Sequence, residues 1–126
     1  MKLKLLSFFI ISLGLLSFKI DIAEKAAQIK FEKTTHDFGK LKQDAPAEFE
    51  FVFKNIGDAP LILTNVASTC GCTVPTWPKE PILPGKEGKI FVKYDSHRLG
   101  TFSKTITVES NAKSGPVYLT IKGEVL

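Results

Sequence analysis

Cys70 and Cys72, separated only by Gly71, are the one concentrated source of chemistry in the 126-residue sequence. On an extended strand their Cα atoms would stand about 7 Å apart with both side chains on one face, at the limit of what a disulfide can span. A bridge therefore requires the chain to bend at Gly71. Closing a three-residue loop contributes only about 1.6 kcal/mol in the loop-entropy model, which makes such a bond a weak staple and a comparatively oxidising one. Left unbridged, two thiolates on one face suit a soft ion, copper(I) or zinc(II), although zinc needs two further ligands. His36 and His97 are the only histidines that could supply them. Three roles stand side by side for the pair: a packed or bridged turn, thiol redox chemistry, and copper or zinc binding.

Other catalytic constellations are missing from the sequence. It has no glycine-rich phosphate loop, no His-Glu-x-x-His zinc helix and no Gly-x-Ser-x-Gly elbow. Asp95 and His97 lack a neighbouring nucleophile, so Asp37 and Asp95 read as hydrogen bonders at turns or strand ends. Trp77, bracketed by Pro75 and Pro78, lies in an irregular segment and reads either as a cover for the core or as part of a partner surface. The sequence thus points to a non-catalytic protein.

The elements that must position these residues have a period near two. Phe49, Phe51 and Phe53 alternate with Glu48, Glu50, Val52 and Lys54, giving a strand with one apolar face, the expected core. Ile90–Tyr94, Phe102–Val108 and Val117–Ile121 alternate likewise, with Lys104 interrupting the second of these. Shorter runs at Ile29–Glu32, Leu61–Val66 and Cys72–Val74 add strands. Turn chemistry separates them at Asn55–Asp58, Pro84-Gly85 and Asn111–Pro116. The reading is all-β: an immunoglobulin-like β-sandwich of about seven strands over residues 29–126, with no helix longer than a turn.

Ahead of it, Met1-Lys2-Leu3-Lys4 and the fourteen uncharged residues Leu5–Phe18 form the pattern of a secretory signal. As a helix that run would span roughly 21 Å, short of the ~30 Å hydrocarbon core. Residues 1–23 are therefore expected to be a signal peptide or an uncleaved anchor, with 24–28 as a spacer, and the protein to be exported to the periplasm or cell envelope. The leader also explains the charge. Three of the 17 basic residues lie in the first twenty positions, leaving 14 against 13 acidic residues and no basic stripe for nucleic acid. Contact with membrane is expected only through the N-terminal segment, if it is retained.

His36-Asp37-Phe38-Gly39, Phe51–Gly57, Ser68–Thr73 with Trp77-Pro78, Pro81–Gly85, Gly100–Val108 with Ser110-Asn111, and Ile121-Lys122-Gly123 together form an ordered series. In this series the chain resembles the domain of unknown function 1573 family over nearly everything after about residue 30. The resemblance implies an exported Ig-like domain, similar in strand pattern to major-sperm-protein and ciliary ASH domains, which act mostly as binding or scaffolding modules. It carries no activity that transfers, and no agreed role for Cys70 and Cys72. Asp95–Leu99 departs from the family's usual pattern. The expected function is that of a non-catalytic envelope module, without cofactor, that binds a protein or glycan partner through loops or an open sheet edge. The alternative is a periplasmic thiol-redox or soft-metal protein centred on the Cys pair.

Overall fold

The computed structural model describes Gly14 and residues 24–126; apart from Gly14, the expected signal or anchor segment, residues 1–23, lies outside the described residues. Eight strands follow in order: β1 (Ile29–Phe31), β2 (Thr35–Leu41), β3 (Glu48–Asn55), β4 (Leu63–Ser68), β5 (Thr73–Thr76), β6 (Glu87–Tyr94), β7 (Gly100–Ser110) and β8 (Val117–Val125). They form two four-stranded sheets, ordered β1-β3-β6-β5 and β2-β8-β7-β4. The chain is all-β among the described residues, an Ig-like sandwich as the alternation predicts.

The strand beyond the expected seven is β2. Its sequence, Thr-His-Asp-Phe-Gly-Lys-Leu, lacks a clean apolar stripe. It holds its place by pairing parallel to β8, with a register shift between Asp37 and Lys40 where Gly39 takes a φ of 67°. Asp37 thus lies within a strand rather than at a strand end, and its carboxylate accepts the Gly39 N–H.

Alternation decides which side of each strand is dry. Phe51 and Phe53 on β3, with Ile90 and Val92 on the neighbouring β6, face Ile106 and Val108 on β7 and Leu119 and Ile121 on β8 across the core. Phe49 is half-buried, packed on the same core. Lys104 shares the inner side of β7 and is half-buried there, in the manner of long charged chains that lay an apolar stem against a core.

Two crossings tie the sheets together laterally. Residues 32–34 carry the chain from β1 to β2 on one side, and residues 69–72 carry it from β4 to β5 on the other. The long axis also has two distinct ends. At the proximal end, where residues 24–28 join, β3 finishes at Asn55 and β6 begins at Glu87. The backbone there is closed by Ile56 N–H to Gln28 O at 2.9 Å and Asp58 N–H to Ala26 O at 3.0 Å. A side chain on Gly57 would collide with the Ala26 carbonyl, so only glycine fits that approach. The distal end gathers Glu48, Tyr94, Gly100 and Val125, with Gly100 paired to Val125.

Candidate functional site

The cysteines sit on the β4–β5 crossing, in the distal half. Cys70 and Cys72 are joined by a disulfide with their Cα atoms 5.3 Å apart, inside the usual range for a bridge. The closing of the chain expected at Gly71 does occur, but as an ordinary turn in which Thr73 N–H donates to Cys70 O at 3.4 Å. Gly71 does not take a positive φ, and a Cβ there would meet nothing within 4 Å. The bend therefore makes no demand that only glycine can meet.

Backbone hydrogen bonds fix the turn at both ends. Thr69 N–H donates to Thr105 O on β7 at 3.2 Å, and Asp95 N–H donates to Cys72 O at 2.8 Å. Cys72 is buried at 3% exposure, while Cys70 is half-buried against the edge of the core. Among the described residues, no three His, Cys, Asp or Glu side chains gather as a metal site.

The two histidines are separated by the fold. His36, on β2, stacks on Phe49 with ring centroids 3.7 Å apart and meets the edge of Phe38 at 4.5 Å. Burial of the ring lowers its pKa below 6.5; the Lys33 charge adds to the effect and the Asp37 charge opposes it. His97 instead lies in the exposed β6–β7 loop, where its Nδ1 is 2.9 Å from Asp44 Oδ1. Asp95 does not poise it for catalysis: the carboxylate accepts the His97 backbone N–H in a local turn. Trp77 packs against the core with Lys79 Nζ 2.9 Å above its ring, so it acts as a cover.

Spacing alone did not reveal the way the distal loops lock together. The β2–β3 and β6–β7 loops lie some fifty positions apart in sequence. Yet Asp44 N–H donates to Ser96 O, Gln43 Nε2–H donates to His97 O, and Ser96 Oγ–H donates to Ala45 O. Tyr94 N–H donates to Ala47 O just beneath. The Tyr94 ring stacks on Phe102 at 3.8 Å, and burial raises its phenol pKa. A groove of about 260 Å³ runs between these loops, lined by Asp44, Pro46, Glu48, Lys93, Asp95 and His97 among others. A second, of about 380 Å³, opens around the β2 bulge at the same end of the other sheet, with Asp37, Lys40, Lys122 and Glu124 on its walls. Leu99, 66% exposed, sits next to the locked loops.

The four sheet edges are less inviting. Strand β1 is three residues long, and β5 has four residues including Pro75, which cannot donate to an added strand. Strands β2 and β4 both carry register shifts.

Similar architecture is found in proteins of distant sequence. A crystal structure of a protein of unknown function from Porphyromonas gingivalis W83 superposes with a TM-score of 0.70 at 17% identity, over 79% of this chain and 47% of that one. This chain therefore spans about half the length of that structure. The ASH / PapD-like domain 7 of human CEP192 gives a TM-score of 0.68 at 9% identity, over 80% of this chain and 87% of that one. The YadV chaperone gives 0.58 at 14% identity, over 78% and 52%. Identities this low speak to the fold, which is PapD- and Ig-like. No curated protein matches the sequence. The eight strands of the sandwich and its Cys-Gly-Cys crossing all fall within residues 29–125, which match the family model described as a protein of unknown function (DUF1573), and the chain belongs to that family.

Proposed function

We propose that this domain is a non-catalytic binding module of the cell envelope that engages a protein partner with its distal end. The observation that carries this reading is the locking of the β2–β3 and β6–β7 loops by Asp44, Ser96, Gln43 and His97. Loops held in one arrangement lose little conformational freedom on binding, so more of the contact energy appears as affinity. The locked surface combines a groove walled by charged side chains with an exposed leucine, Leu99, farther along the β6–β7 loop, a composition suited to a protein surface. Loops rather than edges are favoured because short strands, a proline and bulges blunt all four edges.

The geometry also suits a tethered module. Residues 26–28 are bonded to the proximal end, so a leader retained as an anchor ahead of them would turn the distal end away from the membrane. The test is to compare Leu99→Asp with Lys54→Glu at the proximal end for recovery of envelope partners after crosslinking in living cells. Loss with the first and retention with the second supports the distal site. Equal recovery with both overturns it, and binding to purified glycans without any protein adduct moves the reading to a glycan ligand.

A further inference from the structure

We propose that the Cys70–Cys72 bond is a thiol-exchange site that hands its disulfide to a dithiol on another polypeptide, an activity beyond partner binding and independent of it. The bond itself holds little together. Three backbone hydrogen bonds already close the crossing: Thr69 to Thr105, Thr73 to Cys70, and Asp95 to Cys72. The ring spans three residues, so it removes less chain entropy than a bridge across a long loop, and folding gives it little protection against reduction. Reduction thus leaves the strands on both sides anchored. A bond whose two redox states share one scaffold is suited to turning over, whereas a staple is not.

The two sulfurs are also unequal. Cys70 is half-buried and can be reached from solvent, while Cys72 is buried. An incoming thiolate therefore meets Cys70 Sγ. A bond forms between the client sulfur and Cys70, and the Cys70–Cys72 bond breaks with its electron pair leaving on Cys72 Sγ. Thr73 Oγ1 lies 3.9 Å from that sulfur and can donate to the thiolate as it forms. The client's second thiolate then attacks its own sulfur in the mixed disulfide and releases Cys70 as a thiolate. The client dithiol loses two electrons and two protons, and the Cys70/Cys72 pair gains them. The only co-reactant is the client dithiol, and one protein oxidises one client.

The test uses the oxidised, folded protein and a Cys-x-x-Cys peptide in its dithiol form, with thiols counted by alkylation and mass. The expected result is one-for-one exchange without denaturant, giving a reduced protein whose urea midpoint stays close to that of the oxidised form. In single variants, glutathione disulfide should modify Cys70 in Cys72→Ser at least about tenfold faster than Cys72 in Cys70→Ser. Exchange that occurs only once the protein is unfolded would overturn the proposal and make the bond a staple. So would collapse of the fold on reduction, or faster modification of Cys72. The wild-type exchange measurement decides the matter even if a serine variant does not fold.

Discussion

Replacing Asn55 with leucine should unfold this domain far more readily than its place in a turn-rich motif suggests. The side chain is wholly buried and makes four hydrogen bonds. Its Oδ1 accepts from Gly57 N–H at 3.0 Å and Gln28 N–H at 3.4 Å. Its Nδ2 donates to Ala59 O at 2.8 Å and Ile82 O at 2.9 Å. It thereby joins the segment before β1, the β3–β4 turn and the segment before β6. Leucine keeps most of the volume and removes all four bonds. Of the four groups freed, Ile82 O retains the Leu61 N–H, so three lose their partner among the described residues. Unsatisfied polar groups cost about 1–3 kcal/mol each. Most of these bonds are only partly buried, so water can reach some of the freed groups, and the lower half of that range applies, roughly 3–6 kcal/mol in total. Against the ~5–15 kcal/mol that holds a typical domain, and with a urea m-value of about 1–3 kcal/mol/M, the midpoint should fall by about 2 M. A shift worth less than about 1 kcal/mol would refute the reasoning, because it would mean water replaces the side chain at little cost.

Three further outcomes follow from the core, the turn and the β2 edge. Phe51→Ala removes a fully buried ring and should cost about 3–5 kcal/mol; an unchanged denaturant midpoint would place the β3 register on the wrong face. Gly71→Ala should change stability by less than about 0.5 kcal/mol, since its φ is not positive and nothing lies within 4 Å of the added carbon; a large loss would show that the turn needs glycine after all. Because His36 has a folded-state pKa below 6.5, the unfolded chain binds more protons between that folded value and 6.5. The stability from its neutral ring is therefore complete above pH 6.5 and is lost as pH falls through the folded value. The urea midpoint of the wild type should decline over that window, and His36→Gln should flatten the decline; parallel curves would remove His36 as the source.

Wherever one face of a strand is dry and the other wet, the sequence already showed the strand, which is why β3, β6, β7 and β8 were legible from alternation alone. Strand β2 was not, because its place depends on parallel pairing with β8 and on a bulge at Gly39. The Cys-Gly-Cys segment announced its chemistry but not its state, since a two-residue separation on an extended chain sits at the limit of bridging. The turn through Thr73 brought the Cα atoms to 5.3 Å. Asn55 read as turn chemistry because burial by distant segments leaves no mark on the local sequence. The locked distal loops were hidden for the same reason: Asp44 and His97 are 53 positions apart, and neither carries a motif.

The central claim, that the distal end is the binding surface, is tested most directly by site-specific photocrosslinking in the native envelope. A photoreactive residue is placed at Arg98 or Leu99 in the locked β6–β7 loop, at Lys30 on the β1 edge, or at Glu87 at the proximal end. The account predicts one recurrent protein adduct from the two distal positions and none from the other two. Adducts from Lys30 or Glu87, with Arg98 and Leu99 silent, would contradict it.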